Sequence, residues 1–218
     1  MFNALVANAQ AQAANFPFCT IEPNVGSVSV PDQRLNLLGE LSNSKQIIPT
    51  RMEFVDIAGL VKGASKGEGL GNKFLANIRE VDAIVHVIRC FSDDDVIHVS
   101  GSVDPSRDIE IINLELALSD LNQIEKRRTR LKKQISTNKE AKLEDDVLEK
   151  LSEALENENA VRSVSLTDEE KKLIKPLGLL TEKPIIYATN LGEDELAKGN
   201  SFSEAVSYTH LRAHETTC

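Results

Sequence analysis

Phe54-Val55-Asp56-Ile57-Ala58-Gly59-Leu60-Val61-Lys62-Gly63-Ala64-Ser65 reads as an apolar strand that ends on a carboxylate and runs straight into a glycine-rich turn. Open α/β sheets bind ligands beyond the carboxyl ends of their strands, so this order delivers Asp56 to a ligand crevice. Gly59 has no side chain to hold a phosphate away from its N–H. The pair is a candidate metal-linked carboxylate and γ-phosphate contact of a nucleoside triphosphatase. Asp-x-x-Gly by itself is equally a strand ending in a β-turn, so the flanking sequence decides.

Downstream, residues 62–71 form a loop with four glycines, Gly63, Gly67, Gly69 and Gly71. Their spacing fails the Gly-x-Gly-x-x-Gly fingerprint, and no phosphate-binding Lys accompanies them, which favours hinge glycines over a dinucleotide loop. Asn72 is a candidate helix cap, followed by Phe74, Leu75, Ile78 and Val81 on one helical face. Ala83-Ile84-Val85-His86-Val87-Ile88-Arg89 is a near-continuous β run, the pattern of a strand buried on both faces. From about residue 108 the period changes. Leu114, Leu121, Ile124, Leu131 and Ile135 recur at coiled-coil spacing, interrupted by Arg128. After a polar tip, Val147, Leu148, Leu151 and Leu155 mark a second, acidic helix, so the region predicts a helical hairpin. Thr167 and Glu170 form a capping box for a further helix. Residues 184–189 return to a β run.

Upstream, residues 51–57 read as the strand, residues 15–50 as turn chemistry mixed with short apolar runs, and residues 1–14 as helix. Met1 opens that helix without a cap, a basic n-region or an apolar h-region, so no signal peptide is expected, and the chain is expected to begin inside an element of a longer protein. The 218 residues carry a net charge of −9 and 41% hydrophobic side chains. That balance excludes a whole-surface electrostatic footprint for nucleic acid and leaves room for a local basic patch. Cys19, Cys90 and Cys218 are too widely spaced for a zinc or disulfide framework. No apolar run has the length of a membrane span.

Two further stretches bear on chemistry. Asn190-Leu191-Gly192-Glu193 follows the last strand, where GTPases place Asn-Lys-x-Asp. Their Asp accepts from the N1–H and amino group of guanine. Glu193 is one methylene longer and cannot hold the same bidentate pose, and Leu191 stands where a Lys stem would cover the base. An unpaired polar edge costs specificity by roughly 10⁴-fold in well-built sites, which favours adenine or relaxed specificity. Asn15-Phe16-Pro17-Phe18-Cys19-Thr20-Ile21-Glu22-Pro23-Asn24 lies upstream of Asp56, where a switch segment belongs, and Thr20 offers a hydroxyl for Mg²⁺. The histidines His210 and His214 lack a third ligand and receive no metal role.

In order and spacing, these stretches closely resemble the Obg-like ATPases of the YchF type. The resemblance covers roughly residues 2–200 and rests also on Gly67-Glu68-Gly69-Leu70-Gly71-Asn72, Arg89-Cys90-Phe91, Ile97-His98-Val99-Ser100-Gly101, Val103-Asp104-Pro105 and Asp108-Ile109-Glu110. It implies an α/β P-loop NTPase domain (an Obg-type G domain) with a helical coiled-coil hairpin insertion, and in complete members a small C-terminal TGS domain. It implies ATP as substrate ahead of GTP, Mg²⁺ as cofactor, and ribosomes or translation factors as partners, with neither DNA nor a membrane. Residue by residue it makes Thr20 and Asp56 the metal ligands and Gly59 the γ-phosphate contact. Asn190, Leu191 and Glu193 become the base site. Leu60 stands where Ras-like enzymes keep a water-orienting Gln, so His98, which can titrate near neutrality, is the candidate catalytic residue.

The sequence contains no Gly-Lys dipeptide, and Phe2-Asn3-Ala4-Leu5 matches the helix that follows the family's phosphate loop. The expectation is therefore an incomplete domain: residues 1–107 as the N-terminal NTPase part without first strand and phosphate loop, 108–180 as the insertion, 181–206 as the returning NTPase part, and 207–218 as an artefactual tail. Such a chain is expected to bind ATP weakly and to hydrolyse none. The alternatives are a non-catalytic protein-binding module acting through the hairpin, or a GTPase. The expected location is the cytoplasm, or a plastid if a transit peptide precedes Met1.

Overall fold

The computed structural model describes residues 2–6, 23–57, 70–93 and 101–215. The chain divides into two compact units, Met1–Gly59 and Leu60–Cys218.

The first unit holds helix α1 (Phe2–Leu5), strand β1 (Asn24–Ser29), helix α2 (Arg34–Leu41) and strand β2 (Arg51–Asp56). β1 and β2 pair antiparallel, with Asn24 opposite Asp56, Gly26 opposite Phe54 and Ser29 opposite Arg51. The Arg51 guanidinium donates across the ladder to Ser27 Oγ at 2.9 Å. β1 and α2 lie in a stretch whose sequence showed mainly turn chemistry. The strand signal of Asn-Val-Gly-Ser-Val-Ser is weak by itself, and the partner β2 supplies the stability that propensity does not. At α2, Asp32 accepts from Arg34 N at 3.0 Å and grips the Arg34 side chain, which fixes the first turn. Gly26 is a close-approach position: a Cβ there would collide with Val6 Cγ1, so only glycine lets the buried Val6 sit on β1.

The second unit runs α3 (Leu70–Glu80), β3 (Ile84–Arg89), α4 (Pro105–Leu131), α5 (Lys139–Glu156), α6 (Asp168–Ile174), β4 (Ile185–Asn190) and α7 (Ser201–Glu215). β3 and β4 pair parallel in the register Ile84↔Ile185 through Arg89↔Asn190. Parallel strands need a crossover, and α4 to α6 make up this one. α3 begins at Leu70, so Asn72 lies inside the helix and does not cap it; Leu75 and Ile78 are buried as the period required. β3 departs from its expected two-sided burial. Ile88 is buried, whereas Val85 and Val87 stay 41% and 49% exposed. Among the described residues only one face of the two-stranded ladder is covered, by α4 and α7.

The crossover is a helical hairpin. Asp104 caps α4 by accepting from Arg107 N at 3.1 Å, with Pro105 in the first turn. Asn138 caps α5 by accepting from Glu140 N at 2.9 Å. The expected capping box of Thr167 and Glu170 opens α6. Ile124 and Leu131 of α4 bury against Val147, Leu148, Leu151 and Leu155 of α5. Arg128, the break in the apolar seam, ties the helices together through Asp145 at 2.9 Å and Glu149 at 3.0 Å, while Arg127 grips Glu144 at 2.6 Å. Leu114 is an exception to the heptad reading: it is 54% exposed. Leu121, Ile124, Leu131 and Ile135 keep the expected seam, in or against the hairpin core, while nearer the N-terminus of α4 the buried stripe passes through Ile109, Leu116 and Asp120, because a straight helix of 3.6 residues per turn drifts off a strict seven-residue repeat. α7 runs continuously through residue 207 to Glu215.

Candidate nucleotide site

Each unit carries part of the residue set that the sequence singled out. In the first unit Asp56 is the last residue of β2 and is half-buried. Its cross-strand neighbour is Asn24, and directly opposed residues of an antiparallel pair project to the same face. Asn24 Nδ2 is shielded from solvent and has no hydrogen-bond partner among the described residues. An unmet buried donor costs about 1–3 kcal/mol, so a donor in this state beside a carboxylate suits an acceptor that arrives from outside, such as a phosphate oxygen. Asn24 was legible only as the end of a matched motif; its unmet amide needed the strand pairing to be seen. Mg²⁺ takes one or two carboxylates together with phosphate oxygens and water. Asp56, a hard oxygen donor at a strand's carboxyl end, fits that donor chemistry. Thr20, Gly59 and His98 lie outside the described residues.

In the second unit Asn190 is the exposed last residue of β4, aligned with Arg89 and accepting from Cys90 N at 2.8 Å through its backbone oxygen. Leu191 packs against a buried cluster of Ile88, Cys90, Ile109 and Val206. Its apolar side chain thus has a structural job at the position where a base-covering Lys would extend a long methylene stem to a charged end. Gly192 leads into a 3₁₀ turn, Glu193–Glu195, and Glu193 is exposed at its start.

The residue that shapes this loop is Asn200, which the sequence reading missed. Its Nδ2 donates to Cys90 O at 2.7 Å and to Glu195 Oε2 at 2.8 Å. Its Oδ1 accepts from Ser203 N at 2.9 Å, and Ser203 Oγ accepts from Asn200 N at 2.9 Å. One side chain therefore joins the end of β3, the turn after Asn190 and the start of α7. The available signal was Asn-x-x-Ser ahead of an amphipathic run, a reciprocal cap. Gly199 precedes it with φ +70°, and a Cβ there would meet Ser203 Oγ at 2.9 Å. Burial pushes the Cys90 thiol above its usual range, and the Glu195 charge pushes the same way, which suits the packing role of this fully buried side chain. Arg89, at the end of β3, lays its guanidinium over the Phe91 ring at 4.7 Å and donates to Phe91 O at 3.1 Å, which stiffens the segment leaving the strand.

Residues 1–190 match a family model described as a 50S ribosome-binding GTPase. The ribosome-binding ATPase YchF of Bacillus subtilis (strain 168) is 59% identical over 198 residues, which are 90% of this chain and 54% of that protein. The protein of the same name from Haemophilus influenzae is 57% identical over 195 residues, 89% of this chain and 53% of its own length. The chain belongs to the YchF-type Obg-like P-loop NTPases. Among solved structures, that of the Schizosaccharomyces pombe YchF GTPase is 40% identical with a TM-score of 0.70, covering 89% of this chain and 54% of that one. The chain spans about half the length of the YchF proteins it matches. The bacterial YchF relatives are named ATPases and the yeast structure a GTPase, so the names leave the choice of base to chemistry.

Proposed function

We propose that the protein is a regulatory NTPase of the YchF type that binds and hydrolyses ATP ahead of GTP and works in association with ribosomes in the cytoplasm. The observation that carries the base preference is the loop after β4. Asn190 ends the strand in the open, and the exposed acid three residues on is Glu193, not Asp. With its stem fixed by Leu191 on one side and the Asn200 network on the other, the loop has little freedom to draw Glu193 back by the length of a methylene. Guanine would leave N1–H and amino donors unpaired, and adenine presents no such pair.

In this reading Asp56 and Thr20 hold Mg²⁺, which when bound neutralises charge on the phosphates. Gly59 brings its N–H to the γ-phosphate. The Asn24 amide donates to an oxygen of the phosphate chain beside Asp56, and His98 orients the attacking water that Leu60 cannot. The hairpin is an insertion of coiled-coil type. Ribosome association is supported by the names of the bacterial relatives, which give a plastid location no support.

The test uses the 218 residues joined behind a Gly-x-x-x-x-Gly-Lys-Ser phosphate loop with its strand, the segment that the family pattern places upstream. Competition between ATP and GTP for a fluorescent adenine nucleotide is expected to favour ATP at least ~10-fold. Glu193→Asp is expected to narrow that ratio by admitting guanine, and Asp56→Asn to remove the Mg²⁺ dependence of tight binding. Equal affinities for the two nucleotides, or a preference for GTP in the parent, would overturn the base assignment.

A further inference from the structure

Charge along this acidic chain is not spread evenly. Between residues 126 and 142 eight Lys and Arg side chains face a single acid, Glu140, a net +7 in a chain of net −9. This stretch is the tip of the hairpin: the last turns of α4, the connection, and the first turn of α5. Arg127 and Arg128 are neutralised by Glu144, Asp145 and Glu149 of α5. The other six, Lys126, Arg130, Lys132, Lys133, Lys139 and Lys142, are exposed, and none forms an ion pair among the described residues.

Folding alone does not call for this arrangement. The negative end of the α4 dipole favours the cations on that side, but Lys139 and Lys142 sit at the positive N-terminal end of α5, where cations are unfavourable. Lys126 and Arg130 are four apart on one helix face, where like charges are destabilising. The tip also lacks the anchors of a protein-binding surface. It has no aromatic residue; Leu131 and Ala141 are buried, and Ile135 packs against the hairpin core. Five of the six open cations are lysines, compact point charges suited to phosphates, with a single Arg for bidentate reading of base edges.

We propose that the hairpin tip is a docking surface for the phosphate backbone of structured ribosomal RNA, held by Lys126, Arg130, Lys132, Lys133, Lys139 and Lys142 without reading base sequence. The proposal names the contact chemistry of the ribosome association inferred above and rests on that reading for its choice of RNA.

The experiment measures binding of the 218-residue chain to purified 50S subunits, to naked ribosomal RNA and to duplex DNA between 50 and 200 mM salt. A quadruple variant, Lys132→Gln/Lys133→Gln/Lys139→Gln/Lys142→Gln, is compared with a control carrying Lys171→Gln, Lys172→Gln, Lys175→Gln and Lys198→Gln. All eight positions are exposed, so both variants should melt within a few degrees of the parent. The tip variant is expected to lose at least ~10-fold in affinity for RNA and subunits, and its log–log salt slope should fall by roughly three, at about 0.7–0.9 per lost phosphate contact. The control should bind like the parent. Unchanged affinity and slope in the tip variant overturn the proposal. So does loss on subunits without loss on naked RNA, which points to a ribosomal protein, and so does equal tip-dependent affinity for DNA. Tip-dependent binding to naked RNA with no binding to subunits upholds the tip contact and rejects the ribosome reading instead.

Discussion

Asp120 lies on α4 with its side chain fully shielded from water, and it accepts from Leu180 N at 2.9 Å, Thr181 N at 2.8 Å and Thr181 Oγ1 at 2.7 Å. Burial pushes its carboxyl above the usual range; the three donors and the Arg79 charge pull it back. Its neighbours extend the same junction. Ser119 accepts from Arg79 at 2.8 Å, and Lys183 donates to Arg79 O in the last turn of α3 and to Val81 O just beyond it. The network thus fixes the approach to β4, four residues before the strand that ends on Asn190. Asp120→Ala would strand three buried donors at about 1–3 kcal/mol each, so urea unfolding should show a loss of at least about 3 kcal/mol. A loss under 1 kcal/mol would mean that water or a rearranged turn replaces the carboxylate. Nothing in the sequence near Asp120 marks it, since an Asp in a charged helix reads as a solvated face; its partners lie some sixty residues away. For Asn200 the bond to Cys90, 110 residues away, was hidden for the same reason, although its cap with Ser203 left a local signal. Asp56, Asn190 and Glu193, by contrast, were legible because each closes or follows an apolar run.

At the scale of the element, the hairpin was the most legible part of the chain. The Thr167 capping box and the α5 stripe appear where the spacing predicts them. What failed was the first position of the α4 seam, Leu114, since Leu121, Ile124, Leu131 and Ile135 all lie in or against the hairpin core. Leu148, fully buried, and Leu114, 54% exposed, looked equivalent in the sequence. Leu148→Ala should cost about 2–5 kcal/mol, the range for a buried leucine, whereas Leu114→Ala should stay within about 0.5 kcal/mol. Thermal melts of the two variants check the assignment; comparable losses would return Leu114 to the packed seam. β3 failed for a related reason. A continuous apolar run is the mark of two-sided burial, but which faces are covered depends on elements far along the chain, here α4 and α7 on one side.

At the scale of the whole molecule, one contribution to the pH response of the second unit comes from His86, which lies on the covered face of β3 with its ring 5.9 Å from that of Tyr187. Burial holds its imidazole below the ordinary value of 6.5, against a smaller opposing pull from Asp108. The folded state therefore takes up fewer protons than the unfolded one as pH falls through 6.5, and stability from this group is lost on acidification. The melting temperature should drop between pH 7.5 and 5.5, and His86→Gln should drop less over the same window; parallel curves would show that His86 keeps its proton equilibrium on folding. The larger division is between what is local and what is not. The sequence by itself determined the strand that ends on Asp56, the loop Asn190–Glu193 after the last strand, the helical hairpin and the family, because each is written in short-range periodicity and in motifs of fixed spacing. Only the tertiary structure decided which face of β3 is covered, the exposure of Leu114, the Asn24 amide left unmet among the described residues beside Asp56, and the Asn200 and Asp120 junctions. Those features are pairings between groups distant in sequence, and they take their energy from burial and hydrogen bonding that no local pattern records.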